Sequence, residues 1–500
     1  MRPICSVEIV RQAEAGAGVP EPVLMQRAST ALAGVCADLL RGRRPGVRGS
    51  RVVALVGSGN NGGDALWALA SLARRGVSTA AIGDPGRMHR DGAAAARGAG
   101  TRLVAWDAAE VTGLITSADL VLDGILGIGG VGAVREPASG AVRAVLASGV
   151  PVVAVDVPSG VDSDTGEVAG LAVRADVTVC FGVLKPALVV SPARALAGSV
   201  TVIDIGLRPA DLEPLAQALS LPDLVVPGPA PDAHKYARGV VGVTAGSPSY
   251  PGAALLAVGG ARRSGAGMVA FGSVGAATPV DRIDPVAALV VAQYPDVVLA
   301  TERALDARCI GPGLGGSREA RESVLRAMAD PAPLVLDASA LTVLARQDGR
   351  RALAERVDAG WISVLTPHAG EFARMGFDAA GGPLVAATRA AQDSGAIVVL
   401  KGPGTVVAGP GATYVDTFGD AALATAGSGD VLVGLMAGML AAASRNGVLT
   451  AAGATLVAAR AVGLHGLAGR LAGSACGSVT AVDVCANLRS AHAAAASAAT

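Results

Sequence analysis

Short β-branched runs that end in a glycine- or aspartate-bearing loop and lead into a helix-like stretch recur along the whole chain, and this alternation leaves few folds open. VVALVG (52–57), STAAIG (78–83), ADLVLDGILG (118–127), VPVVAVDVPSG (150–160), ADVTVCFG (175–182) and SVTVIDIG (199–206) read as strands, with helical stretches between most of them. Around 207–231 six prolines crowd together (Pro209, Pro214, Pro222, Pro227, Pro229, Pro231), which reads as a linker. The alternation then restarts at 239–247, 267–273, 307–315, 332–341, 361–371, 396–405 and 412–417. Strands alternating with helices predict parallel sheets covered on both faces, so the fold class is α/β, in two domains over 1–222 and 228–500. Residues 5–40 and 430–471 read as helical, and the alanine-rich tail from Ala491 as frayed.

With 51% hydrophobic residues but 2% aromatics, the cores must be built from Ala, Val and Leu. A formal net charge of +0 gives no electrostatic case for nucleic acid or an anionic membrane. No uninterrupted apolar run has the length of a membrane span, and no signal-peptide h-region opens the chain. Six cysteines without a CxxC pair fit a reducing cytoplasm better than a disulfide framework or a zinc site. Lysine is rare. Lys185, Lys235 and Lys401 each stand in a Gly/Pro-bearing segment, which marks them for attention.

Open α/β sheets bind ligands at strand carboxyl ends. In the first half, Gly57, Gly59 and Gly62 satisfy a dinucleotide-type glycine pattern, although the acid expected about 20 residues on is only loosely met by Asp84. Asn60, Asn61 and Asp64 add polar side chains that a plain phosphate loop does not need. Asp123, Asp156 and Ser159 follow two further strands, so these groups can converge. In the second half, Gly427-Ser428-Gly429-Asp430 opens an apolar helix. Free amide donors and the helix dipole make that turn a site for phosphate oxygens, and a carboxylate there is suited to take a proton from a hydroxyl that attacks phosphorus. His368 and Glu371 lie in LTPHAGEF, and Lys401 begins a glycine turn suited to a diphosphate. The Walker pattern is absent.

NNGGD, DGILGIGG and DVPSGVD together resemble the N-terminal epimerase domain of the bifunctional NAD(P)H-hydrate repair enzyme family. GPGLG, TPHAGE, LKGPGTV and ATAGSGDVL resemble that family's ADP-dependent dehydratase domain. The resemblance implies a Rossmann-like three-layer α/β/α epimerase domain followed by a ribokinase-like α/β dehydratase domain. It implies hydrated NADH and NADPH (NADHX and NADPHX) as substrates, ADP as co-substrate, Mg2+ and K+ as ions, a cytoplasmic location and a homo-oligomer.

By the same resemblance, Asn60, Asn61, Gly62, Gly63 and Asp64, the run Gly127, Ile128, Gly129, Gly130, Val131, Gly132 and Ala133, and Asp156 contact the hydrate in the first domain. Asn61, Asp123 and Ser159 hold potassium. Ala253, Gly315, His368 and Asp430 contact the hydrate in the second domain, while Lys401, Gly402, Pro403, Gly404, Thr405 and Gly429 contact the adenine nucleotide. Asp430 is the expected base of dehydration, and Asp123 or Asp156 assists epimerisation.

Two departures stand out from the family pattern. Ala65 follows NNGGD where glycine is usual, and Asp416-Thr-Phe-Gly-Asp-Ala-Ala-Leu-Ala424 replaces N-x-x-G-N-P-x-L-A. Other readings are a ribokinase-type small-molecule kinase with a non-catalytic first domain, a first domain that only scaffolds, and an NAD-dependent dehydrogenase, which leaves the second half unexplained.

Overall fold

The computed structural model describes residues 1–43, 46–208, 213–228, 230–274, 284–299, 304–445, 447 and 449–499. It divides into two compact units, Arg2–Leu215 and Ala216–Thr500. Pro209 and Pro229 of the proline-rich stretch lie outside the described residues.

In the first unit, β1 (Arg51–Val56), β2 (Ser78–Gly83), β3 (Arg102–Ala105), β4 (Leu120–Gly124), β5 (Val152–Val155), β6 (Val177–Phe181) and β7 (Ser199–Ile203) form one sheet. Its order is β3-β2-β1-β4-β5-β6-β7, and every pair is parallel. Alternate residues point to opposite faces. Val52, Ala54 and Val56 join a core with Leu32, Leu40, Leu66 and Leu69, whereas Val53 and Leu55 join one with Ile115, Val142 and Val145. This is the expected three-layer sandwich. Strand order reverses between β1 and β4, where the amide of Gly57 donates to the carbonyl of Gly124 at 3.0 Å, and ligand crevices open at such reversals.

The second unit contains β8 (Ala216–Ala218), β9 (Val240–Thr244), β10 (Met268–Gly272), β11 (Val298–Leu299), β12 (Ala307–Ile310), β13 (Leu334–Leu336), β14 (Ser363–Leu365), β15 (Ile397–Leu400), β16 (Val406–Gly409) and β17 (Ala412–Val415). They run in the order β8-β17-β16-β15-β14-β13-β12-β9-β10-β11. From β11 to β15 the pairs are parallel, and β15-β16-β17 is an antiparallel meander. Val241, Val243, Val335, Val364 and Val399 face one core with Val431, Leu435, Leu440 and Leu464, while their neighbours Leu334, Leu336, Leu365 and Val398 are buried as well. Both faces of this sheet are therefore covered.

Helices Pro251–Ala261 and Ser428–Arg445 cross closely, and glycine makes that crossing feasible. A Cβ on Gly260 would lie 2.1 Å from the carbonyl oxygen of Val431, and one on Gly434 would lie 1.8 Å from that of Ala257. The helix that begins at the GSGD turn is thus held by backbone-to-backbone contact. Elsewhere the Arg356 guanidinium, 1% exposed, donates to the carbonyls of Met328, Asp330, Ala332 and Ile362 and to Ser363 Oγ. It ties two loops to the end of helix Gln347–Asp358.

Several expectations need correction. Residues 216–222, read as part of the first domain, include β8, which pairs with β17 of the second sheet. β3, β11 and β16 were not recognised as strands. The tail is helical through Ser497, because a capping box at Thr480 and Asp483 starts the helix and Leu488, Ala491 and Ala495 bury its apolar face. Among the described residues two helices, Glu21–Arg41 and Ala451–Ser474, are long and apolar enough to cross a membrane, although no uninterrupted apolar run of that length was found in the sequence. Both contribute buried residues to a core.

Candidate functional site

The first unit opens a cavity of ≈ 890 Å³ at the strand-order reversal. Arg11 and Glu14 from the N-terminal helix line it, with Asn60, Asn61 and Asp64, Gly127 to Gly130, and Asp156. Asn60, Asn61 and Asp64 lie in the first turns of helix Asn60–Arg74, which starts directly after β1 and has no side-chain cap. Its free amides therefore face the crevice.

Asp156 follows β5 at φ 66°, a left-handed conformation that side chains other than glycine rarely adopt. There its carboxylate accepts from Lys185 Nζ at 2.5 Å and from the amide of Phe181 at 3.0 Å. Lys185 is 1% exposed. Burial opposes its charge, but the Asp156 carboxylate outweighs that effect and holds the ammonium above its ordinary pKa. Asp64 is pushed well above the usual carboxylate range by burial, then by the neighbouring charges of Asp156 and Glu14. Glu14 is raised as well, chiefly by burial. One cavity thus holds an ion-paired carboxylate beside a carboxyl group biased toward its protonated form. That division suits paired acid and base roles.

Asp123 behaves differently. It is wholly buried and accepts from Ser159 Oγ at 2.6 Å and from the Ser159 amide at 2.7 Å. Burial pushes its pKa to about 6, against the pull of those hydrogen bonds. Ser159 Oγ in turn accepts from the Leu126 amide at 2.9 Å and so fixes the start of the glycine loop. Nearby, Asn61 lies against Gly127, and its Nδ2 is buried without a hydrogen-bond partner.

Of the residues expected to touch a ligand, Asn60, Asn61, Asp64, Gly127, Ile128, Gly129, Gly130 and Asp156 line the cavity. Gly62 and Gly63 pack within the fold, against Gly57 and His89. Val131 and Ala133 line a second cavity of ≈ 420 Å³, and Gly132 lies between them in the chain at φ 77°. The departure at Ala65 is accommodated locally: its methyl packs where a Cβ on Gly124 would come within 2.7 Å.

In the second unit, β13, β14 and β15 carry Asp337, His368 and Lys401 just beyond their carboxyl ends. Lys401 Nζ donates to Asp337 Oδ1 at 2.6 Å and lies 3.9 Å from Glu371 Oε2. Thr366 Oγ1 donates to the same Asp337 oxygen at 2.7 Å. Ala338 next to it adopts φ 48°, so strained backbone marks this site also. His368 caps helix Ala369–Arg374, with its Nδ1 accepting from the amides of Gly370 and Glu371, while its own amide donates to Glu371 Oε2. Gly315, at φ 77°, donates its amide to Ser339 Oγ. In the same 311–315 loop Gly313 lies against Ala253. Thr405 Oγ1 closes the Gly402-Pro403-Gly404 turn by donating to the Gly402 carbonyl.

Asp430 sits in the first turn of its helix, with its pKa pushed to about 7 by burial and by Asp337, against the lowering pull of Lys401. No ion pair holds it among the described residues. A Cβ on Gly429 would lie 3.6 Å from Lys401 Nζ, so the ammonium faces the helix start. Buried His465 contacts the Ser428 carbonyl through Nε2 at 2.8 Å, and Ser428 Oγ donates to Leu423 O. Burial pushes His465 down to about 4, so the neutral ring donates this bond. The unusual loop before the turn is closed by its own carboxylates. Asp416 accepts from Phe418 and Gly419, and Asp420 accepts from Ala422.

The family model described as NAD(P)H-hydrate dehydratase matches residues 241–488, and that of the YjeF-related protein N-terminus matches 21–187. The bifunctional NAD(P)H-hydrate repair enzyme Nnr of Mycobacterium leprae is 42% identical over 453 residues, covering 88% of this chain and 90% of its own. The chain belongs to the bifunctional NAD(P)H-hydrate repair enzyme family. The Nnr enzyme of Salinibacter ruber is 36% identical, covering 85% and 84% of the two chains. A solved ADP/ATP-dependent NAD(P)H-hydrate dehydratase of Bacillus subtilis, co-crystallized with ATP/Mg2+, is 27% identical with a TM-score of 0.44, covering 55% of this chain and 97% of that one. Membership across both halves favours a two-activity repair enzyme over a small-molecule kinase with an idle first domain.

Sequence reasoning missed Glu14 and Asp337 and gave Lys185 no role. The scarcity of lysine was a usable signal, because Lys185 and Lys401 each pair with a site carboxylate. Asp337 could have been found as one more aspartate at a strand end.

Proposed function

We propose that the first unit interconverts the R and S hydrates of NADH and NADPH, and that the second dehydrates the S form while ADP is split to AMP and phosphate. The observation that carries this proposal is Asp430: a half-buried carboxyl with a pKa near neutrality, at an open helix start and facing Lys401. Asp430 takes the proton of the substrate hydroxyl as its oxygen attacks the β-phosphorus of ADP, and AMP leaves. The ring nitrogen then expels phosphate from the adjoining carbon, and loss of a proton from the next carbon restores the dihydropyridine. The helix-start amides, Gly429 and the Lys401–Thr405 turn grip the diphosphate. His368, Gly315 and Ala253 flank the hydrate.

Asp337 and Glu371 supply hard oxygens that fit Mg2+ beside the nucleotide phosphates, where the ion offsets charge. In the first unit Asp123, Ser159 and Asn61 offer a carboxylate, a hydroxyl and an amide oxygen, and the buried carboxylate, held by hydrogen bonds from Ser159, has no counter-cation among the described residues. That donor set fits K+. Asp123 is therefore assigned to the ion rather than to proton transfer, and Asp156 with Asp64 handles the hydroxyl as epimers interconvert.

The deciding experiment is to incubate S-hydrate with ADP or ATP and follow absorbance at the reduced-nicotinamide band. Recovery with ADP is expected. Recovery with neither nucleotide overturns the dehydratase assignment.

A further inference from the structure

Asp84 lies where β2 ends, one residue beyond Gly83, and the proposed chemistry leaves it unused. With Arg87, Trp106 and Arg135 it lines the ≈ 420 Å³ cavity. Ser58, Ile125 and Leu126 line both this cavity and the larger one, so the two are neighbours across a shared wall. In sheets of this strand order, an acid at the end of the second strand meets the ribose of a dinucleotide's adenosine half, and a nearby arginine accommodates a 2′-phosphate. Glu136 is engaged with Ser139 and lies 3.7 Å from Arg143. Asp84 Oδ1 accepts from the Gly86 amide at 3.0 Å. Among the described residues neither Arg87 nor Arg135 has a carboxylate partner. Two unpaired guanidinium groups against one free carboxylate leave the cavity electropositive, and Trp106 offers a flat apolar face for a base.

We propose that this smaller cavity is the adenosine subsite of the first unit, with Arg87 and Arg135 binding the 2′-phosphate of hydrated NADPH and Asp84 the free ribose hydroxyls of hydrated NADH. The hydrated ring then occupies the larger cavity beside Asp64 and Asp156. The proposal rests on the epimerase reading and adds a discrimination to it: the phosphorylated hydrate is the preferred substrate.

The test is epimer equilibration by the full-length protein, resolved chromatographically, with each hydrate as substrate. An R87A/R135A variant should raise KM for NADPHX at least about tenfold, change KM for NADHX by less than about twofold, and leave kcat in place, since charge-assisted bonds to a phosphate are lost. Adenosine 2′-monophosphate should inhibit the parent and not this variant, whereas adenosine 5′-monophosphate should distinguish the two far less. D84A should raise KM for NADHX alone. The substituted side chains are exposed, so melting temperature should not move. A parent that epimerises neither hydrate overturns the epimerase reading itself. A parent that epimerises both, with R87A/R135A unchanged or equally weakened toward the two, overturns the subsite.

Discussion

Substituting Asp430 by asparagine should separate stability from catalysis in opposite directions. Burial, with the neighbouring charge of Asp337, pushes the carboxyl pKa from 3.8 up to about 7, and each tenfold change in proton affinity corresponds to about 1.4 kcal/mol. Between these two values the unfolded chain has lost its proton while the folded one keeps it. Stability therefore falls as pH rises through this window, and about 4 kcal/mol is forfeited by pH 8. Asparagine carries no such penalty. At pH 4 D430N should differ from the parent by less than about 1 kcal/mol, and at pH 8 it should be more stable by roughly 3–4 kcal/mol. Denaturant titrations across pH, followed in the transition that belongs to the second unit, give this difference directly. The same variant should lose at least about a hundredfold in dehydration rate, as expected when a general base is removed, while epimerisation continues. In the parent, dehydration kcat/KM should climb with pH and level off above about 7. A stability difference that is flat from pH 4 to 8, or a variant that dehydrates at the parental rate, refutes the reasoning.

K185M should cost the first unit about 3–5 kcal/mol, because Asp156 is left as a buried charge without its partner, and D156N added to it should recover part of that loss; paired unfolding curves measure both. K185M should also abolish epimerisation yet spare dehydration of purified S-hydrate, which a coupled assay with each epimer resolves. Potassium should raise the melting temperature of the first unit in the parent and not in D123N, as read by thermal scans in potassium against a tetraalkylammonium salt. R356M should lower the stability of the second unit by roughly 3 kcal/mol or more, since buried carbonyl acceptors lose a charged donor, and activity below the transition should persist.

The order of elements was legible because each buried parallel strand is a β-branched run with a loop signal at its end, as in VVALVG and VPVVAVD. β16 escaped because its short run, Val406–Gly409, follows β15 across the Gly402–Gly404 turn and reads as part of that strand's loop, and β8 because a three-residue strand inside a proline-rich stretch carries no such run. Asp430 could be read from its neighbours, since a glycine turn and an apolar helix together define an anion site. The separation of Asp123 from Asp156 could not be read, because both are aspartates at strand ends. What distinguishes them is the direction of the side chain: one is sealed behind Ser159, and the other turns into a cavity to meet a lysine 29 residues on. Pairings at that distance leave no periodic trace in a sequence.

The left-handed backbone at Asp156 places this position under two opposed selective demands. A glycine there would relax a conformation that costs an L-residue about 1–2 kcal/mol. It would also strip Lys185 of its partner and leave a buried charge unpaired, at about 3–5 kcal/mol. Scaffold and chemistry therefore defend the same carboxylate, and a lineage that surrendered it would have to replace the lysine as well.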